Sequence, residues 1–305
     1  MKLCRFGDPG RERPGLVDRD GVLRDLSGVC PDIDASLLSD DALGRLARID
    51  PLTLPHVPGT PRLGVPFAGM SKFVCIGLNY SDHAAEAGMA VPSEPIIFLK
   101  ALSALSGPND PIVRPLHSTK LDWEVELGVV IGRKASYVTE EAALDHVAGY
   151  CVVNDVSERA FQLQSSQWDK GKGCDTFGPV GPWLVTRDEV PDPQNLDMWL
   201  EVNGARMQAG NTRTMIFGVR ELVSYCSRYM TLLPGDIIAT GTPPGVGMGM
   251  KPEPVWLKAG DTVQLGIAGL GVQTQAVVEM AQSQAAGPGE AAVPSGRPLT
   301  ATAPR

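Results

Sequence analysis

The chain has 305 residues, 43% hydrophobic and 20% charged, the composition of a globular protein able to bury a large core as one domain or as one large and one small. Its 27 basic and 35 acidic residues leave a formal net charge of −8, which argues against a nucleic-acid partner. No apolar stretch approaches the length of a membrane span, the opening Met1–Asp8 lacks an apolar signal core, and the six cysteines show no paired spacing. A cytoplasmic protein with reduced thiols, no membrane association and no zinc site is expected.

Residues 1–70 read as a small N-terminal α/β module. Gly15–Leu23 has an Asp/Gly turn between short apolar runs, the pattern of a hairpin, and Ser39–Ile49 reads as a short helix. Five prolines between Pro51 and Pro66, with little periodicity, suit an extended linker. From 71 to 280 the chain alternates short β-like runs with Gly/Pro turns: Phe73–Gly77, Pro95–Leu99, Leu121–Ile131, Gly149–Asp155, Trp199–Gly204 and Asp261–Ile267. Glu140–His146 and Phe217–Met230 read as helices. The fold class is therefore α+β, mostly β. Residues 281–305 are dominated by Ala, Gly, Pro, Ser and Thr, and a disordered tail is expected.

The chemistry centres on Glu124 and Glu126. A strand sends alternate side chains to one face, so these carboxylates share a space while Val125 and Leu127 point away. Like charges so close call for a cation, and Mg2+ prefers oxygen ligands. Asp155, ending the run Gly149–Asp155, offers a third carboxylate, although Asn154–Glu158 also fits a helix start. His83 and Glu86 would meet on a helical turn, where the carboxylate orients the imidazole as a general base for water; a routine surface pair has the same spacing. Arg159 and Gln162 follow Asp155 at helical spacing and suit a substrate carboxylate and oxo group, or a solvated helix face. Lys172, between glycines, suits a developing enolate charge, or a basic surface loop. The hydroxyls and amides of Ala239–Gly247 suit an anionic group, and no phosphate-binding or dinucleotide motif is present.

Taken together these residues resemble the fumarylacetoacetate hydrolase family. The pieces are Gly77-Leu78-Asn79-Tyr80, His83 with Glu86, Glu124 with Glu126, Asn154-Asp155 with Arg159 and Gln162, Lys172-Gly173 with Gly181-Pro182-Trp183, and Pro234–Thr242, in family order across about two thirds of the chain. The resemblance implies a mixed β-roll catalytic domain, a homodimer, and a Mg2+ site (Mn2+ or Ca2+ being possible) on Glu124, Glu126 and Asp155. It implies catalytic roles for His83, Glu86 and Lys172, and substrate contacts from Arg159, Gln162, Lys172 and Thr242. Asn79 stands where the fumarylacetoacetase branch has a ligating aspartate, which points to the shorter branch containing acylpyruvases. The opening Met1–Gly7 and Pro61–Gly64 resemble hydrolases of 2,4-diketo-3-deoxy sugar acids derived from fuconate or rhamnonate. The implied reaction is hydrolysis of a carbon–carbon bond in a 2,4-diketo acid, giving pyruvate and a carboxylic acid. Oxaloacetate decarboxylation, 2-hydroxyhepta-2,4-diene-1,7-dioate isomerisation, a ureidoglycolate lyase activity and non-catalytic metabolite binding are the alternatives.

Overall fold

A computed structural model describes residues 1–86 and 90–281, the side chains of 83–85 excepted. The tail expected over 281–305 lies outside the described residues from 282 onward.

The first hairpin forms where the Asp/Gly turn places it, with Val17 paired to Leu23. Asp18 closes the turn by accepting from the Asp20 and Val22 amides, and Arg24 donates to its other oxygen. The strand Lys2–Phe6 pairs with Arg13–Val17 on one side and with Gly178–Thr186 on the other, so the leading residues share a sheet with the main body. Ser39 caps the helix Asp40–Leu46, which buries Ala42, Leu43 and Leu46. The proline-rich stretch includes a 3-10 turn, Pro51–Thr53.

Among the described residues, the largest sheet has ten strands. Its path runs Leu23–Asp25, Arg13–Val17, Lys2–Phe6, Gly178–Thr186, Val147–Asn154, Val125–Ile131, Ile237–Ala239, Phe73–Gly77, Ile96–Lys100, and Leu105–Ser106 pairs off this path with Gly178–Thr186. Every residue of Val125–Ile131 and Val147–Asn154 is buried. The alternation is visible in the packing. Val125, Leu127 and Val129 enter one core, which also takes Leu200, Val263 and Leu265 of a five-stranded sheet. Val130, Cys151 and Val153 enter a second core with Leu3, Phe73 and Leu184.

The helix Val219–Tyr229 forms within its expected span and buries Val219, Leu222, Val223 and Cys226, a single apolar stripe. Three expectations are corrected. The run Leu121–Ile131 is two strands, because Leu121–Asp122 pairs with Ser157–Glu158 and the strand of the large sheet begins only at Val125. Glu140–His146 yields only the 3-10 turn Ala143–His146, because the next strand begins at Val147. The strand expected through Gly204 stops at Val202, because Asn203 and Gly204 adopt positive φ (52° and 77°) in a tight hairpin turn. The fold is mostly β with mixed sheets, as its sequence pattern implies. No helix among the described residues is long and apolar enough to cross a membrane.

Candidate active site

Strand register brings the acids together. Glu126 lies opposite Val153 and Val125 opposite Asn154, so Asp155 follows directly after its strand ends. The Asp155 amide donates to the Glu124 carbonyl at 2.9 Å, which extends the pairing by one step. The Asn154 side chain accepts from the Glu124 amide at 3.2 Å and fixes that residue just before its own strand begins. Ligand oxygens of Glu124, Glu126 and Asp155 all lie within 4.8 Å of one another, and all three residues are buried. One small cation can touch all three.

Three basic side chains border the cluster. Lys172 ends the short helix Asp169–Lys172 and is buried, not on a surface loop, and its Nζ lies 2.7 Å from both Glu124 Oε2 and Asp155 Oδ2. Gly171 permits that helix to pack on Gln162, since a Cβ there would stand 2.6 Å from the Gln162 amide nitrogen. Arg159 donates to Asp122 at 2.8 Å, to Glu124 at 2.6 Å and to the Gln162 side chain at 3.0 Å. Lys100, at the end of the edge strand, lies 2.6 Å from Asp155 Oδ1. That contact is an ion pair by distance but falls outside hydrogen-bond geometry, so Asp155 Oδ1 is a buried oxygen with no directional partner.

The balance of charge leaves Glu126 exceptional. Asp122, Glu124, Glu126 and Asp155 are four acids, and Arg159, Lys172 and Lys100 are three cations. Burial would push Glu124 up, but Lys172 and Arg159 outweigh it and hold the carboxyl at about 2. Glu126 accepts from the Gly241 amide at 2.9 Å. Burial first, then the charges of Asp155 and Glu124, push it well above the usual carboxylate range. A surplus buried acid in an all-oxygen donor set fits a hard divalent cation.

Other expectations meet mixed outcomes. The continuous helical face from Asp155 through Arg159 to Gln162 does not form. Ser157–Glu158 is a strand paired with Leu121–Asp122, and Glu158 caps a helix that begins only at Arg159. The Thr242 hydroxyl donates to the Val125 carbonyl and accepts from Gln208, so it holds the strand carrying Glu126. Asn79 donates to the Phe217 and Thr240 carbonyls and accepts from the Phe217 amide, which makes it a backbone pin. His83 lies on the helix Ser81–Glu86, as its spacing implies, and its side chain is outside the described residues. Glu86 accepts from the Gly245 amide at 3.1 and 3.2 Å, tying that helix to the loop after Thr242.

Sequence reasoning missed Asp122 and Lys100. Asp122 was within reach of the strand argument, since Asp122, Glu124 and Glu126 alternate. It missed as well the buried amides of Gln275 and Gln273, which link Asn154, at the end of the strand Val147–Asn154, to the five-stranded sheet. A cleft of about 420 Å3 beside Glu140 and Arg228, and another of about 350 Å3 beside Arg5 and Asp110, contain no member of the acidic cluster.

The profile of the fumarylacetoacetate (FAA) hydrolase C-terminal family matches residues 72–278. A Burkholderia ambifaria (strain MC40-6) protein, named as a hydrolase without a substrate, is 64% identical over 276 residues, 90% of this chain and 98% of that protein. The fumarylacetoacetate hydrolase of Exiguobacterium antarcticum superposes with a TM-score of 0.83 at 37% identity, covering 92% of this chain and 100% of that one. Maleylpyruvate hydrolase of Sphingobium sp. SYK-6, solved with manganese(II) and pyruvate, gives 0.77 at 34%, covering 92% and 99%. The 2-hydroxyhepta-2,4-diene-1,7-dioate isomerase of Mycobacterium marinum gives 0.69 at 35%, covering 92% and 98%. With two thirds of its length matched by the family profile and 92% of it superposed on a solved relative, the chain belongs to the fumarylacetoacetate hydrolase family, whose fold serves both hydrolases and isomerases.

Proposed function

We propose that this chain is a metal-dependent hydrolase that cleaves the carbon–carbon bond of a 2,4-diketo acid, a 2,4-diketo-3-deoxy sugar acid being the favoured substrate. The single observation that carries the reading is the buried convergence of Glu124, Glu126 and Asp155 with Lys172 alongside. The manganese and pyruvate held by the Sphingobium relative support it.

Glu124, Glu126 and Asp155 would hold Mg2+ or Mn2+, which when bound supplies Lewis-acid polarisation to the 2-oxo acid end of the substrate. His83, oriented by Glu86, takes a proton from water. Hydroxide adds to the 4-keto carbon, the C3–C4 bond breaks, and C3 leaves as the enolate of pyruvate. Lys172 lies beside the acids, where its ammonium can offset that enolate charge. Arg159 is close enough to the cluster to meet a substrate carboxylate, at the expense of its contact with Gln162. Protonation of the enolate completes pyruvate, and the acyl half leaves as a carboxylic acid. A cytoplasmic homodimer completes the reading, with its subunit number tested by light scattering.

The test is a panel of acylpyruvates, 2,4-diketo-3-deoxy sugar acids, oxaloacetate, unsaturated 2-oxo diacids and ureidoglycolate, each supplied with Mg2+ or Mn2+. Pyruvate and a matching carboxylic acid should appear from the diketo acids and cease with chelator. Isomerisation without pyruvate release, or turnover indifferent to chelator, would overturn the proposal.

A further inference from the structure

Two buried lysines hold the same carboxylate, and their remaining contacts differ. Lys100 lies against Asp155 Oδ1 and also donates to the carbonyls of Val156 and Lys172. Those backbone contacts build it into the fold. Lys172 lies against Asp155 Oδ2 and Glu124 Oε2, with its ammonium 5.2 Å from the centre of the Phe98 ring. It has carboxylates and an aromatic face as partners, and a flexible four-carbon stem. Two of its partners are also two of the three carboxylates that would receive a divalent ion.

Resting on the metal reading above, we propose that Lys172 is an exchangeable internal cation, whereas Lys100 is a fixed one. An ammonium and a divalent ion cannot both sit between Glu124 and Asp155, because their repulsion at such a separation in a buried site is strong. The arriving ion takes those oxygens, and the Lys172 ammonium moves off them toward the substrate. Lys100 stays in place, retained by two backbone carbonyls. The consequence is an order of events: the positive charge that meets the substrate is released by the ion itself. Before that release, Lys172 is held by acids and has little attraction left for an anionic ligand.

The test compares Mn2+ binding by calorimetry in the wild-type protein, Lys172→Met and Lys100→Met, with far-ultraviolet circular dichroism confirming the fold. Removing the competitor should tighten Mn2+ binding in Lys172→Met by about tenfold or more, because a cation that contacts two of the ion's carboxylates in a buried site opposes the ion strongly. Lys100→Met should not tighten it, because Asp155 loses an anchor that the ion does not displace. Equal affinity in wild type and Lys172→Met would overturn the exchange, and so would equal tightening in both variants, which would mark a simple field effect. Absence of Mn2+ binding in wild type would instead defeat the metal reading itself.

If Lys100→Met does not fold, the wild-type protein supplies the second measurement. Carbamylation of lysines by cyanate, followed by peptide mass spectrometry, reads each amine with and without Mn2+. Labelling of Lys172 should rise several-fold with the ion while that of Lys100 stays constant. An unchanged or reduced Lys172 signal would overturn the proposal.

Discussion

Glu126→Gln separates ion binding from folding. Glutamine keeps the shape of the side chain and an oxygen for the Gly241 amide, which now donates to Glu126 at 2.9 Å. It removes one ligand charge and turns four acids against three cations into three against three. Glu126 is already pushed far up by burial and by Asp155 and Glu124, so it carries a proton readily and glutamine imitates that state. Without added ion, the variant should melt no lower than wild type. Ion binding should behave differently. Loss of a residue that merely supports a ligand costs about 10–100-fold in metal affinity, so loss of a ligand itself should cost at least about 100-fold. At an ion concentration of about 100 times Kd, wild type gains about 2.7 kcal/mol. At about 2–4 °C per kcal/mol, that is a rise in Tm of about 5–10 °C. The variant should show almost none of this rise at the same Mn2+ concentration. Thermal melts with and without Mn2+, together with calorimetric titration, read both quantities. Unaltered Mn2+ affinity would refute the ligand assignment, and a much lower melting point without ion would refute the account of surplus charge.

Because Glu126 holds its proton above the usual range, ion entry should expel that proton. Mn2+ affinity should therefore strengthen as pH rises, with a binding heat that changes with the ionisation enthalpy of the buffer; a buffer-independent heat would contradict this. Burial pushes the Cys4 and Cys226 thiols up from 9.0 to about 12, and the Tyr150 hydroxyl up from 10.0 to about 12. A raised folded-state value gives stability that is complete below the unfolded value and lost as pH climbs through the folded one. The urea midpoint should hold steady near neutrality and fall across pH 9 to 12, and a flat profile there would count against the burial of these groups. Asn79→Ala removes three hydrogen bonds to buried backbone and should cost about 3 kcal/mol in urea unfolding, with a loss below about 1 kcal/mol disproving the pin. His83→Ala should lower turnover by about 10²–10⁴-fold while Mn2+ affinity is kept. A parallel loss of ion binding would show that the two functions are not divided in that way.

The acidic centre was legible because it obeys a local rule. Glu124 and Glu126 flank one apolar residue, and alternation points them to one side, although Glu124 stands just before the strand and is fixed by Asn154. Asp155 was legible as the carboxylate at the end of a second apolar run. Among the counter-charges, Arg159 and Lys172 were legible, whereas Lys100 was not, because it comes from a distant part of the chain. Lys100 reaches Asp155 from 55 residues away, and Gln275 reaches Asn154 from 121 residues away. Local spacing also misled. Arg159 and Gln162 have helical spacing from Asp155, yet a two-residue strand at Ser157–Glu158 intervenes because Leu121–Asp122 supplies pairing partners. The hydroxyl of Thr242, expected to meet substrate, bonds Val125 and Gln208. Buried polar side chains are satisfied by whatever the fold brings near, and no period in the sequence encodes that.

The pairing of Glu126 with Val153 has a consequence for refolding. A slip of one position between those strands would preserve nearly the same ladder of backbone bonds. It would also drive the carboxylate into the layer occupied by Val125 and Leu127. Such a misaligned molecule would keep the spectrum of the correct one and lose its ion. If the acidic cluster binds Mn2+, its uptake recovered after dilution from denaturant would count correctly aligned molecules, which a measure of sheet content cannot do, and the protein would carry its own assay of folding fidelity.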